Sequence, residues 1–388
     1  MFDFTTNFKR ENTQSAKWDM LKQVYSLEDA SDILPMWVAD MDFAIAPIIL
    51  ESIQKRMEHP IFGYSFPSEE VYQVIINWLN NRHQLAVEKD SILLRHGVIP
   101  ALNEVIDAFT DEGDTILTFT PIYPPLTSIP HKLGRVVETC LLIEKENSFE
   151  IDFEEFEKSL QQNVKAFILC NPHNPAGKVW SKEDLTKIAA LCQANNVLVF
   201  SDEIHSDLIF KPNTHIPLLS VAENPANIIT FFAPTKTFNI AGIQASVMIV
   251  SDSEKRKILN DRAMKRGEMG LNIFSLVALQ AAYEKGAPWL EELLVTLSSN
   301  MDYVIEQLST IAGIKVSKPD GTYLMWIDYR GTGLSEKEIM HLLLTKGKVA
   351  LDPGTKYGEA GNGFLRINVA CPPSLLEDGI ARFIKALS

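Results

Sequence analysis

The chain of 388 residues carries 36 Lys and Arg against 50 Asp and Glu, a net charge of −14, and 46% hydrophobic residues. That length and apolar share sustain large buried cores and two domains, while the acidic balance, with no basic run to offset it, disfavours nucleic acid and anionic membranes as partners. The four cysteines are scattered with no CxxC pair, which excludes a disulfide framework and fits a reducing, cytoplasmic setting; Cys170 reads as a small buried hydrophobe. No basic segment followed by an apolar one opens the chain, and no stretch approaches about 18 uncharged apolar residues, so neither a leader nor a membrane span is expected.

Short apolar runs at 91–94, 115–119, 166–169, 197–200, 228–232 and 247–250 alternate with helical patterns. Such alternation predicts an α/β fold, a mostly parallel central sheet with helices on both faces. After the first run, Gly97 precedes a segment in which Leu102, Val105, Ile106 and Phe109 fall at helical spacing and Pro100 suits the first turn. The free N–H groups of that helix start favour a phosphate, although taken alone the segment is also an ordinary strand-to-helix connection. Tyr123 follows the second run, in Thr120-Pro121-Ile122-Tyr123-Pro124. The third leads into Asn171-Pro172-His173-Asn174-Pro175-Ala176-Gly177, the fourth into Ser201-Asp202-Glu203-Ile204-His205, and the fifth into Ala233-Pro234-Thr235-Lys236-Thr237.

Ligands of open α/β sheets collect at such carboxyl ends. A lysine held there among small and hydroxyl residues can be desolvated into a neutral amine that forms a Schiff base with an aldehyde cofactor. Asp202, directly after an apolar strand, is either a helix cap or the partner of a buried cation. Asn174 is a turn asparagine or a donor to a ligand. Further on, a helix at 290–308 is followed by short strands at 313–316, 322–328 and 363–369 and a helical 336–346, a smaller α+β unit. On the last strand, period two sets Arg366 opposite Leu365, Ile367 and Val369, where a guanidinium can clamp a carboxylate in bidentate fashion or join a strand-face ion pair.

The ordered set Asn174, Asp202, Lys236 resembles the fold-type-I pyridoxal-phosphate enzymes. The run Leu34-Pro35-Met36-Trp37-Val38-Ala39-Asp40-Met41-Asp42-Phe43, together with His205, narrows the resemblance to the MalY/PatB-type carbon–sulfur lyases, related to cystathionine β-lyases. It extends from about Asp3 to the C-terminus. The resemblance implies a large cofactor domain at 50–285 and a small domain made of 1–49 and 286–388, with the run at 247–250 pairing antiparallel. It also implies pyridoxal 5′-phosphate on Lys236. Its phosphate would rest on the amides of Val98 and Ile99, on Thr235, and on Tyr64 from the neighbouring subunit of a homodimer. Tyr123 would stack on the ring, Asp202 would meet the ring nitrogen, and Asn174 the phenolate oxygen. Arg366, with Trp37, Ala39 and Asn174, would line the substrate carboxylate pocket; taken alone, Trp37 is equally a core tryptophan.

Three positions depart from the family pattern. His205 stands where many relatives have tyrosine, Gln244 where they have arginine, and Ala233 where a hydroxyl is frequent, so phosphate binding leans on backbone amides, Thr235, Tyr64 and Gln244. His205 is either a cofactor-side residue or a core histidine. The activity implied is β-elimination from cystathionine or other cysteine S-conjugates, giving a thiol, pyruvate and ammonia. An aminotransferase, or a protein of this fold with a regulatory binding role, is the alternative.

Overall fold

The computed structural model describes residues 1–146, 148–268 and 270–388. Seven strands form the central sheet: β1 (Ile92–Arg95), β2 (Thr115–Thr120), β3 (Val136–Leu141), β4 (Val164–Cys170), β5 (Leu198–Asp202), β6 (Ile228–Phe232) and β7 (Ser246–Val250), in the spatial order β1-β7-β6-β5-β4-β2-β3. The β6-β5-β4-β2-β3 run is parallel, and β7 lies antiparallel to both β6 and β1, as the resemblance implied. Alternation along the strands fills two cores. Ile116, Ile168, Phe200, Phe231 and Met248 pack on one face, where they meet Leu102, Val105 and Ile106 of helix α1 (Val98–Phe109). Leu117, Phe167, Val199 and Ile228 pack on the other, against Leu185 and Ile188 of the helix Lys182–Ala194. Side chains of successive strand residues point to opposite faces, so a sheet buried on both sides needs the continuous apolar runs seen here.

The edge strand β3 was not legible as a strand, because Val136, Glu138, Thr139 and Leu141 are not buried and the run lacks an apolar face. A second sheet of four short strands, in the order Lys315–Val316, Leu324–Asp328, Phe364–Asn368, Asp352–Pro353, is wholly antiparallel. The N-terminal residues Leu34–Pro35 pair parallel with Val349–Ala350, joining the two ends of the chain. Helix boundaries shift slightly from expectation: the long helix is Ala287–Leu308, and the predicted helix at 336–346 is Glu336–Leu342 followed by a wider turn, Leu343–Gly347.

Because β1, β2, β4, β5 and β6 run in the same direction, their carboxyl ends lie along one edge of the sheet. The ladder extends past them. Asn171 N–H donates to Asp202 carbonyl (2.9 Å) and Glu203 N–H to Phe231 carbonyl (2.9 Å), so the loops carrying Asn174, Asp202 and Lys236 leave the sheet in register.

Candidate active site

Lys236 lies in the single-turn helix Pro234–Thr237 immediately after β6. Its amine is half-buried and donates to the carbonyl of Ala39, which also accepts the Tyr323 hydroxyl at 2.9 Å. Burial, reinforced by the Arg366 charge and opposed by Asp40 and Asp202, lowers the amine to about 8. Asp202, only 4% exposed at the end of β5, is raised to about 6, chiefly by burial; the Ile204 amide, at 3.2 Å, and Lys236 partly offset this. A buried carboxylate with so few donors is poised for a cationic partner.

Arg366 is the other charged centre. Its cross-strand neighbours are Trp326 and Asp352. One terminal nitrogen donates to Asp352 (2.8 Å) and to the carbonyl of Trp37 (2.7 Å), the other to the Asn174 side-chain oxygen (3.2 Å), and the buried Nε has no partner among the described residues. The guanidinium thus joins an ion pair, as one of the two sequence expectations allowed, and keeps a free donor. Asp352 also accepts from the Tyr357 hydroxyl (2.8 Å) and Lys356 (2.7 Å).

The segment Trp37–Phe43 is the bridge between these groups. Asn368, two residues beyond Arg366, donates to the carbonyls of Val38 and Asp40 (both 2.6 Å), and Asn239, three residues after Lys236, bonds Met41 and Phe43. Asp42 is held from outside by Lys17 (2.5 Å), Arg10 (2.6 Å) and Trp18 (2.9 Å). Trp37 follows the core-packing alternative, in a cluster with Leu21, Ile33 and Ala350. Its indole turns away, donating to the Lys17 carbonyl at 3.0 Å and packing on Tyr25, so it reaches Arg366 through its backbone oxygen.

Tyr123, half-buried, lies near Asp202 and Arg366, whose charges act on its hydroxyl. His205 is buried with Nδ1 unpartnered and its ring beside Tyr323; burial, then Lys236 and Arg366, lower it to about 3, so it is neutral at physiological pH. Helix α1 starts at Val98 with no side-chain cap, leaving the first-turn amides, Val98 and Ile99 included, to an external acceptor. Thr235 is buried beside the lysine, whereas Gln244 is exposed in a left-handed conformation, φ 59°. Tyr64 stands apart from all of these at 98% exposure, in a run with exposed Ile61, Phe62 and Phe66.

Asp352, Asn239, Asn368 and Tyr323 were not foreseen from the sequence. Asn239 sits inside the lysine run and was visible as a polar residue, but its clamp on Met41 spans a separation of 198 residues that no local pattern encodes.

Residues 32–383 match the model of the aminotransferase class I and II family, and the chain belongs to that family. The cystathionine β-lyase PatB of Bacillus subtilis (strain 168) is 43% identical over the full length of both chains. Among solved structures, cystalysin from Treponema denticola, which contains a pyridoxal 5′-phosphate cofactor, superposes with TM-score 0.96 at 33% identity, covering 100% of this chain and 99% of that one. A PLP-bound protein from Clostridium difficile 630 assigned to the aminotransferases superposes equally well, TM-score 0.96 at 40% identity over both full chains. The fold is therefore the fold-type-I arrangement. The uncapped helix start, the under-partnered Asp202, the orphaned His205 Nδ1 and the desolvated Lys236 fit a phosphorylated pyridine aldehyde.

Proposed function

We propose that this chain is a pyridoxal-phosphate-dependent β-lyase that cleaves the Cβ–S bond of cystathionine or related cysteine S-conjugates to a thiol, pyruvate and ammonia. The observation that carries the reading is the convergence of Lys236, Asp202 and Arg366 at one sheet edge, beneath the Trp37–Phe43 bridge, in a chain so similar to PatB. When bound, the pyridoxal ring supplies an electron sink for the pair left when Cα loses its proton.

The residues divide the remaining work. Lys236, with its amine near 8, holds a usable neutral fraction at physiological pH and takes the Cα proton. Asp202 would meet the ring nitrogen and hold its proton in place. Asn174 does two things: its oxygen steadies Arg366, and its amide N–H would donate to the phenolate oxygen. Arg366 presents its free Nε to the substrate carboxylate, with Ala39 and the Trp37 backbone closing the pocket. Tyr123 would stack on the ring and His205 would border it. Val98 and Ile99 amides, Thr235 and Tyr64 from a second copy of the chain would hold the phosphate. Thiolate departure needs little help, since a thiol of pKa about 8.5 is a good leaving group.

This reading includes a homodimer in the cytoplasm and a division into a cofactor unit at 50–285 and a small unit of 1–49 with 286–388. No helix among the described residues is long and apolar enough to cross a membrane. Product analysis with L-cystathionine tests the activity. Homocysteine and pyruvate should form in equal amounts with no added keto acid. Conversion of about one equivalent per site, restarted only by a keto acid and without thiol release, would instead establish the aminotransferase alternative, which the similarity to the Clostridium protein keeps in view.

A further inference from the structure

Behind the lysine helix lies a buried polar cluster that the chemistry above does not use. Asp207 is at its centre. One carboxylate oxygen accepts from His83 Nε2 (2.8 Å) and Trp78 Nε1 (3.1 Å) and is ion-paired with Arg82 (3.1 Å), whose guanidinium donates to the Asp207 backbone carbonyl (3.2 Å); the other oxygen accepts the Thr237 hydroxyl at 2.7 Å. His83, Trp78 and Arg82 belong to the helix Glu69–His83, while Thr237 directly follows Lys236. A second buried pair stands alongside, His215 Nε2 on Glu203 at 2.7 Å, with the two imidazoles edge to face at 5.3 Å. Glu203 is the residue after Asp202 and also accepts from Ser201 and from the Leu218 amide. Thr237 is completely buried and Asp207 nearly so.

A carboxylate taking three hydrogen bonds beside a guanidinium in an apolar setting stays ionised and geometrically fixed, because each donor dipole or charge favours the anion and none can be lost cheaply. Its hydrogen bonds hold Asp207 below the ordinary carboxylate range in spite of burial. The lysine helix is a single turn, too short to hold its own orientation. Its C-terminal end is set by two attachments: the Thr237 hydroxyl on Asp207 and the Phe238 ring on Trp78 and Trp289.

We propose that Asp207 is a positioning residue for Lys236: by holding Thr237 against the helix Glu69–His83 it sets the direction in which the lysine leaves the backbone, and so the placement of its amine among Asp202, His205, Asp40 and Arg366. The inference rests on Lys236 being the cofactor lysine, and that premise is checked separately.

The test uses holoenzyme carrying Thr237→Val, Thr237→Ser or Asp207→Asn. Borohydride reduction of the unmodified protein and peptide mapping come first; label on any other lysine would defeat the premise, whatever the variants do. With the premise standing, Thr237→Val, which keeps shape and removes the hydroxyl, should lower kcat roughly tenfold or more with KM within about twofold. It should also move the pH midpoint of the cofactor's visible absorbance by about half a unit or more, since the charges around the amine would then act from new distances. Thr237→Ser should restore both values, and Asp207→Asn should behave like Thr237→Val. A lower melting temperature with wild-type kcat and midpoint in Thr237→Val would mean a purely structural cluster and overturn the proposal. Should Asp207→Asn fail to fold, the valine and serine pair still separates a positioning role from a structural one.

Discussion

Lys236 illustrates how far one residue can be pushed from its ordinary chemistry. In an unfolded chain its amine keeps its proton up to about 10.5, but in the native protein only up to about 8. Below about 8 the native state therefore bears the full cost of a charge it disfavours, and between these values the unfolded chain binds more protons, so native stability rises with pH. Lys236→Met, studied without cofactor by urea unfolding, should accordingly stabilise the protein at pH 7 by on the order of 3 kcal/mol, and the gain should fade as the pH approaches 10.5. The Ala39 carbonyl would keep its bond from Tyr323 in that variant. In the complete enzyme, Lys236→Ala should be colourless and inactive. Arg366 makes the opposite case, a charge held by partners. Arg366→Ala removes a bidentate candidate and leaves Asp352 buried with only Tyr357 and Lys356; KM should rise by a factor corresponding to about 2–5 kcal/mol while cofactor absorbance persists, and an unchanged KM would remove the residue from carboxylate binding.

Two elements owe their placement to contacts between distant parts of the chain. The Trp37–Phe43 bridge has no regular structure of its own and is suspended from Asn239 and Asn368. Asn368→Ala would leave the Val38 carbonyl without its donor and the Asp40 carbonyl with Lys17 at 3.4 Å, and denaturant unfolding should register a loss of about 2–4 kcal/mol, with activity falling further because Ala39 is no longer fixed over Lys236. The loop bearing Asn174 turns at Gly177, whose φ of 66° lies in the left-handed region and whose missing Cβ would sit 2.3 Å from Pro319 Cβ. Both the conformation and the close approach exclude a side chain. Gly177→Ala should cost more than about 1 kcal/mol and, by shifting Asn174 away from Arg366, raise KM; wild-type stability and kinetics together would show that the loop yields freely.

For the molecule as a whole, the exposed run Ile61, Phe62, Tyr64 and Phe66 matters most. Single exposed apolar side chains need no explanation, but a contiguous group of them is a candidate contact surface. A homodimer placing Tyr64 against the other copy's phosphate makes a specific demand on mixed dimers. Lys236→Ala chains unfolded and remixed with Tyr64→Phe chains should yield heterodimers with one unaltered site, and hence more activity than either parent; verified heterodimers that stay inactive would confine Tyr64 to its own subunit.

Asn174, Asp202 and Lys236 were readable in the order of the chain because each follows a fully buried parallel strand, and strand ends of one direction must share an edge. The strands β4, β5 and β6 were legible for the same reason: burial on both faces forces continuous apolar runs, whereas the half-exposed β3 left no such mark. The residue types determined the fold class by themselves, and the order of Asn174, Asp202 and Lys236 along the chain carried the resemblance that implies their cofactor roles. What they left undecided was set by register and by long-range closure. Asp352 meets Arg366 only because two short strands pair at that position. The Trp37 indole faces Lys17 because the bridge is fastened at Asn239 and Asn368. Asp207 reaches Thr237 only once the helix Glu69–His83 has packed behind the sheet. Periodicity reports which way a side chain points from its own element, but a partner supplied by a remote element exists only after the chain has closed on itself.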